Sequence, residues 1–316
     1  MAGSLILATL AVKAQRTVQS RHIGWLWNGP PPTPAETDRY TNHLRALGWT
    51  EGQNLVIERR YANGDDTQLP GLVQQLIQLK VELIVAEGTV VALMAKRATG
   101  SIPIVVARSG DPVRAGLVTN LARPDSNVTG TSTMSPEIDF KRLQLLRELL
   151  PAVRRVGELV VLANPLDRLA SAARPDGVLD GIQLIYFPVA QARDLDDAVP
   201  EAARRGAQAL HVSAEPLLGE NFRQILKTAQ HHSLPLLVDN SGALEIGGLM
   251  SYGPDQEELN RQLAYYVDAI LRGAKPSDLP IQQPRMFEFG INSRAGKALG
   301  IAIPRSLLLR ADKVIE

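Results

Sequence analysis

Short apolar runs alternate with segments of helical periodicity along almost the whole chain, and this alternation constrains the fold more than any other feature. Residues 81–86 and 156–163 have the length and composition of buried strands. Such runs are separated by apolar residues at helical spacing, as in Leu69, Leu72 and Leu76. The pattern is typical of parallel sheets covered by helices on both faces. It predicts an α/β fold with doubly wound parallel sheets.

Two sequence matches at one fixed offset predict that the chain has two similar halves. Ser101-Ile-Pro-Ile-Val-Val is echoed by Ser233-Leu-Pro-Leu-Leu-Val, and Gly116-Leu-Val is echoed by Gly248-Leu-Met, each 132 residues later. The repeat indicates one unit, an apolar strand followed by a strand led by glycine, that is used twice. Two α/β lobes leave a cleft where a small ligand can bind. The alternative is that Ser-apolar-Pro-apolar is only a common way to end a helix and begin a strand.

Length, charge and cysteine content limit which kinds of protein this chain can be and which partners it can bind. A chain of 316 residues is long enough for two packed lobes, and its 34 basic residues balance 33 acidic ones without a dense basic block. A nucleic-acid partner is therefore not expected. The chain has no cysteine, which excludes disulfides, thiolate metal sites, a cysteine nucleophile and a lipid-modified N-terminal cysteine.

The N-terminus resembles a secretory signal. Residues 4–12 form an apolar run too short to span a bilayer, and Val12-Lys13-Ala14 fits a small-x-small cleavage site. We therefore expect 1–14 to be a signal peptide and the mature chain to be soluble in the periplasm, without a lipid anchor. No Lys or Arg precedes the run, so a truncated start or a disordered tail stays an alternative.

The lobes are expected to be joined by several chain crossings instead of one linker. No low-complexity segment separates them, which argues against two independent domains. The first crossing is placed at 127–130, and the helical pattern after 252–254 is expected to return to the first lobe. We predict a first lobe of 21–130 plus 253–279 and a second of 131–252 plus 280–316. Multiple crossings form a hinge, and hinged closure is a common way to bury a ligand.

Candidate ligand-binding residues are those in the loops after the strands, because these loops face the cleft. The first lobe contributes Trp27, Asn28, Gly88, Thr89, Ser109 and Asp111, and the second contributes Asn164, Glu215, Asp239 and Asn240. Gly88 and Thr89 open a helix whose free N–H groups could receive a carboxylate, although Thr89 could simply be the N-cap. Asp111 could pair with a ligand ammonium or stabilise a turn.

A pair of glutamates and a pair of tryptophans are also expected near the predicted cleft. Glu87 and Glu215 end similar stretches, which again supports related halves. Trp25 and Trp27 could supply a flat apolar surface. We expect Trp27 to reach the cleft and Trp25 to pack in the core.

Catalytic and metal-binding patterns are scarce. None of the five histidines belongs to an HExxH motif, and the chain has no G-x-S-x-G elbow, no P-loop and no G-x-G-x-x-G after the first strand. We therefore expect no metal site and no cofactor, and the hydrolase, kinase and dinucleotide-binding classes lack their usual sequence support. An enzyme on a related α/β scaffold stays an alternative, since the absence of motifs does not disprove one.

The chain resembles the TrpX-like substrate-binding proteins of ABC transporters from about Ile23 to Glu316. The resemblance is carried by 47–54, 57–60, 98–105, 110–113, 116–118, 127–130, 247–253, 266–271, 273–276, 279–284 and 303–316. It implies a periplasmic-binding-protein type I fold, with two doubly wound parallel-sheet lobes joined by a multi-crossing hinge. It also implies a protein without catalysis that binds a small organic solute and delivers it to an ABC permease in the inner membrane, and we expect this protein to be a monomer. Some members of the family are associated with aromatic amino acids.

Two departures from the family pattern mark places where the fold could differ. Arg123-Pro-Asp125-Ser126-Asn127 stands where members of the family read Arg-Pro-Gly-Gly-Asn, so a turn near the hinge must be rebuilt. Residues 174–177, Arg-Pro-Asp-Gly, interrupt the helix expected after Asn164. A ligand sensor of the same fold that signals to a membrane receptor is an alternative to the transport role.

Overall fold

The computed structural model describes residues 20–164 and 178–316, so the predicted signal peptide at 1–14 and the interruption at 174–177 lie outside the described residues. The strands are β1 Arg21–Trp27, β2 Leu55–Tyr61, β3 Leu83–Glu87, β4 Ile104–Ser109, β5 Val128–Ser132, β6 Arg155–Val161, β7 Val178–Leu179, β8 Ile182–Val189, β9 Ala209–Val212, β10 Leu236–Val238, β11 Met250–Pro254, β12 Phe287–Asn292 and β13 Lys313–Ile315. The helices are α1 Pro34–Ala46, α2 Leu69–Gln78, α3 Thr89–Ala98, α4 Ser135–Leu149, α5 Leu195–Arg204, α6 Pro216–Glu220, α7 Phe222–His231, α8 Ser241–Ile246, α9 Gln256–Leu271, α10 Ser293–Ala298 and α11 Arg305–Leu308. None of these described helices has the length and apolar character needed to cross a bilayer.

The strands form two sheets that share one strand order. The first sheet is parallel throughout, in the order β2-β1-β3-β4-β5. The second sheet contains β8-β6-β9-β10-β11, also parallel, so the same order occurs twice. The second sheet is longer, because β7 pairs antiparallel with β8, β12 pairs antiparallel with β11, and β13 follows β12. The predicted α/β class with two parallel-sheet lobes is confirmed.

Each sheet is covered on both faces because alternate residues of its strands point to opposite sides. Ile23 and Trp25 of β1 pack with Leu263 of α9, whereas Leu26 packs on the other face with Leu76 of α2. We call the first sheet with α1, α2, α3 and α9 the first lobe. The second sheet with the remaining helices is the second lobe, and its two faces hold separate apolar clusters.

The described chain passes between the lobes at three places, which together form the hinge. It crosses after β5 into α4, after β11 into α9, and after the turn Pro276–Asp278 into β12. The third crossing lies beside β5, since Gln282 donates its N–H to the Gly130 carbonyl at 2.9 Å and accepts from the Ser132 N–H at 2.8 Å. The exact residue boundaries of the lobes stay a prediction.

Two expectations about local structure are wrong. Gly248-Leu-Met leads into β11, but Gly116-Leu-Val is a turn in which Gly116 has a φ of +77° and its N–H reaches the Val113 carbonyl. Leu117 and Val118 are nevertheless buried in the first lobe, so the apolar match reflects burial and not a strand. The segment 127–130 is not the crossing itself, because most of it belongs to β5.

The turn at Asp125 and Ser126 is closed by side chains. Asp125 accepts the Thr119 N–H at 3.1 Å and the Thr119 hydroxyl at 2.9 Å, and the Ser126 hydroxyl donates to the Leu117 carbonyl at 3.4 Å. Neither Asp125 nor Ser126 has a positive φ. The turn is therefore built without the backbone freedom of glycine.

Candidate functional site

A cavity of about 230 Å³ lies between the two lobes, at the carboxyl ends of their parallel strands. The predicted site residues in its wall are Trp27, Gly88, Thr89, Asn164, Glu215, Asp239 and Asn240. Asn28 lines a smaller adjoining space that also contacts Glu87, Gly88, Thr89 and Glu215. Strand topology brings these residues together, since both sheets direct the same ends of their strands at the cleft.

Two predicted site residues lie away from the cavity wall. Ser109 is fully buried behind Thr89, with the two hydroxyl oxygens 3.0 Å apart. Asp111 accepts the N–H groups of Val113 and Arg114 at 3.1 and 3.0 Å, which is the turn-stabilising alternative that the sequence left open.

The N-terminus of α3 faces the cleft without a side-chain cap. Gly88 occupies the N-cap position with a φ of +87°, and no side chain of the described residues caps the first turn. Thr89 is therefore the first residue of the helix and not its cap, and its hydroxyl accepts the Gly110 N–H at 3.3 Å. Unpaired N–H groups at the start of a helix favour negatively charged or carbonyl groups.

On the second lobe, a buried arginine and a buried histidine hold the acidic side chains of the cavity floor in place. Arg142 lies 2.6 Å from Asp139 and 2.8 Å from Asp239, and both Nε and Nη2 donate to the Tyr252 carbonyl at 3.0 Å. His211 contacts Glu158 through Nδ1 at 2.6 Å and Asp239 through Nε2 at 2.8 Å. The floor is thus a network of alternating charges in fixed positions.

The charges of this network set the protonation of its members. Burial alone would lower the pKa of His211, but Glu158 and Asp239 outweigh burial and raise it to about 10, so the ring is protonated at neutral pH. Burial would raise the pKa of Asp239, but Arg142 and His211 hold it well below its usual range. Asp239 is therefore ionised throughout the physiological range.

Glu215 has a different electrostatic environment. Its Oε1 accepts from Asn164 Nδ2 at 2.7 Å. The net effect of its surroundings raises its pKa to about 7: burial raises the pKa most, the Asn164 hydrogen bond lowers it, and the negative charges of Asp239 and Asp66 raise it. Near neutral pH this carboxyl group exchanges a proton easily.

On the first lobe, Arg108 connects the cavity to two of the chain crossings. Its N–H donates to the Thr131 hydroxyl at 3.0 Å, and its guanidinium reaches Gln256 at 3.2 Å and Asn260, both on α9. It also donates to Glu87 Oε2 at 2.7 Å. Arg108 has a φ of +59°, a conformation that non-glycine residues seldom adopt. Residues held in this way are frequent at functional sites.

Glu87 is 92% buried, and its second oxygen, Oε1, has no hydrogen-bond partner of ordinary geometry among the residues at 20–164 and 178–316. Burial raises its pKa, although Arg108 and the nearby Trp25 indole favour the ionised form. A buried carboxylate with one unsatisfied oxygen is costly unless a ligand supplies a donor.

A second, aromatic pocket of about 190 Å³ adjoins the cavity on the first lobe. It is lined by Trp25, Trp27, Tyr40 and Tyr61, and it shares Trp27 and Glu87 with the main cavity. Trp25 and Trp27 are two residues apart on β1 and so lie on the same face of the strand. Trp25 is nearly buried and belongs to the core, whereas Trp27 also lines the interlobe cavity.

Several residues that shape the site were not predicted as site residues. Arg108, Arg142 and His211 make the main charge contacts of the cavity. Arg142 lies on α4 directly after Lys141, in a helix that also carries Asp139 and Arg147, and charged residues in such a helix are usually solvated. A sequence signal exists only for Arg108, which ends an apolar strand directly before Ser109 and Gly110.

The chain matches the family of ABC transporter substrate binding proteins over residues 35–315. A tyrosine-binding protein of Clostridioides difficile is 26% identical over 257 residues, covering 81% of this chain and 74% of the relative.

Two solved structures are similar over 94% of this chain and 100% of their own. A conserved domain protein from Vibrio cholerae has a TM-score of 0.83 at 27% identity, and an ABC domain from Streptococcus pneumoniae in complex with L-Trp has a TM-score of 0.82 at 25% identity. The chain belongs to the substrate-binding protein family of ABC transporters and has the periplasmic-binding-protein type I fold.

Proposed function

We propose that this protein is the extracytoplasmic solute-binding component of an ABC importer, which closes its lobes on a small organic ligand and delivers it to a permease in the inner membrane. The observation that carries the proposal is the interlobe cavity, because its wall is built from residues of both lobes. Three crossings near the cavity allow such an approach by rotation at the hinge.

The ligand is proposed to be an amino acid or a related aromatic compound. Trp27 supplies a flat apolar surface beside ionisable groups, and the cavity volume of about 230 Å³ suits a small molecule better than a polymer. The tyrosine-binding relative and the tryptophan complex support this ligand class.

Binding without chemistry is the proposed role of the charged side chains. Arg142 and His211 are engaged by carboxylates of the second lobe, and Arg108 by Glu87 and α9. Groups held in this way are suited to fix the position of a ligand. The periplasm as location, and a monomeric state, belong to the same proposal.

A screen of amino acids and aromatic solutes by thermal shift, followed by calorimetry, tests the proposal. We expect saturable binding, no conversion of the bound solute by chromatography, and loss of its uptake in cells that lack the gene. Conversion of the solute would favour an enzyme, and binding without any effect on uptake would favour a sensor.

A further inference from the structure

Three of the seven buried side-chain atoms that have no hydrogen-bond partner among the described residues lie at the cleft. They are Glu87 Oε1, Asn28 Oδ1 and Ser213 Oγ, and all three residues line the interlobe spaces. The Asn28 amide nitrogen is already used, since it donates to Asp66 at 2.6 Å. A carboxylate and an amide oxygen can only accept, so both need N–H or O–H donors from a ligand.

The cationic side chains of the cavity are already committed to acidic partners. Arg142 and His211 contact Asp139, Glu158 and Asp239, while Arg108 contacts Glu87 and two polar residues of α9. The cationic side chains of the described cavity wall therefore have acidic partners, whereas Glu215 is stabilised by the neutral Asn164 amide. The acidic side chains of the cavity wall therefore outnumber the basic ones.

Glu87 and Glu215 occupy equivalent places in the two lobes. Glu87 ends β3 and Glu215 follows β9, and these strands hold the same position in their sheets. Both side chains line the main cavity and the adjoining space, one from each lobe. Closure of the lobes thus brings two carboxyl groups to one cavity.

We propose that the ligand carries a positively charged nitrogen, bound between Glu87 of the first lobe and Glu215 of the second, with an aromatic group against Trp27. This inference rests on the proposed function and narrows its ligand class to small aromatic amines, with or without a carboxylate. Trp27 and Glu87 both border the main cavity and the aromatic pocket, so a ring one or two carbons from the nitrogen can reach them together.

The charge requirement is tested with matched solutes on the full chain. Tryptamine and tyramine carry the amine alone, 3-indolepropionate and 3-(4-hydroxyphenyl)propionate carry the carboxylate alone, and L-tryptophan and L-tyrosine carry both. We expect the amines and amino acids to raise the melting temperature and the acids to leave it unchanged. The inference would be overturned if the acids bind and the amines do not, or if none of the solutes with an amine group binds.

Glu87→Gln and Glu215→Gln test the residues, because each keeps the shape of the side chain and removes its charge. Each should weaken binding of the tightest amine by at least about tenfold in calorimetry. Glu201→Gln, a change at a half-exposed residue of α5 outside the cavity wall, is the matched control and should leave the affinity within twofold. Unchanged affinity in both cleft variants would refute the assignment.

A pH profile separates a charge contact from a merely structural role. Glu215, with its pKa of about 7, must be ionised to hold a cation, so the affinity of the amine should fall about tenfold from pH 8 to pH 6. Asp239 and Asp66 face Glu215, and Asp139 lies in the same wall. The profile should flatten in Glu215→Gln but persist in Glu201→Gln, and an unchanged slope in Glu215→Gln would exclude this role.

Failure of the charged-nitrogen inference can be distinguished from failure of the proposed function. A neutral or anionic solute that binds the cleft and is taken up would leave the transport role in place and overturn only the charged-nitrogen inference. If no solute of any class binds, the proposed function itself fails.

Discussion

At the scale of single residues, the positions that face the cleft were predictable but their partners were not. Glu215 and Asp239 were expected at the cleft because they follow strands, and strand ends are visible in the sequence. That Arg142 of α4 would meet Asp239, which lies far away in the sequence, depends on how the helix packs across the sheet. Sequence periodicity carries no information about such long-range pairs.

Arg108 provides a test of the first-lobe charge pair. Replacement by methionine keeps much of the side-chain volume but leaves the buried Glu87 without its cation, so Arg108→Met should lower the free energy of unfolding by about 3–5 kcal/mol. Urea unfolding measures this loss. Adding Glu87→Gln to Arg108→Met should restore part of the lost free energy of unfolding. The control, Arg223→Met on the exposed surface of α7, should lower the free energy of unfolding only slightly. Additive effects of the two cleft changes would contradict a coupled pair.

The protonated state of His211 predicts a loss of stability in alkali. Its pKa is raised from 6.5 to about 10, so the stabilising contribution is complete below pH 6.5 and disappears as the pH rises through 10. The free energy of unfolding should therefore fall between pH 7 and pH 10, and the fall should be smaller in His211→Gln. Urea unfolding at several pH values measures both slopes. Equal slopes in the two proteins would mean that the folded-state ring is neutral.

At the scale of elements, the sequence predicted the longer strands and helices well and the short ones poorly. The predicted strands 81–86 and 156–163 overlap β3 and β6, and the helix expected to open at Gly88 and Thr89 is α3. Long apolar runs identify buried parallel strands, because both faces of such strands are covered. β7 and β13 are only two and three residues long, and pairing at the end of an existing sheet forms them without a strong pattern of their own.

Glycines mark the places where strands next to the hinge approach each other closely. Gly130 of β5 has a φ of +136°, and a Cβ there would overlap the Val106 carbonyl oxygen of β4. A Cβ at Gly253 of β11 would overlap the Asp239 carbonyl in the second lobe. Both glycines lie in corresponding strands, directly before a crossing.

Gly130→Ala should therefore destabilise the protein by at least ~3 kcal/mol, because backbone must move to make room. Gly100→Ala is the matched control, since a Cβ at Gly100 meets no atom within 4 Å. Thermal and urea unfolding measure how far each variant lowers the free energy of unfolding relative to the unchanged protein. A loss for Gly130→Ala no larger than that of the control would show that the strands can separate at little cost.

At the scale of the whole molecule, the duplication inferred from two short sequence matches corresponds to a strand order that occurs twice. The match at Ser101 and Ser233 was informative because it lies at β4 and β10, which are equivalent strands. The two sequence matches do not account for the extra strands of the second sheet or for the aromatic pocket under α1. These strands and this pocket arise from packing between distant segments, which two short matches do not encode.

The central claim is that the two lobes close on a small ligand, and a distance measured between them tests it most directly. Because the chain has no cysteine, Gln74→Cys on α2 and Arg223→Cys on α7 allow one spin label on an exposed helix of each lobe. Saturation with the solute that gives the largest rise in melting temperature should shift the distance distribution, measured by double electron–electron resonance, to shorter values with a narrower width. A distribution that stays unchanged with bound ligand would contradict closure of the lobes.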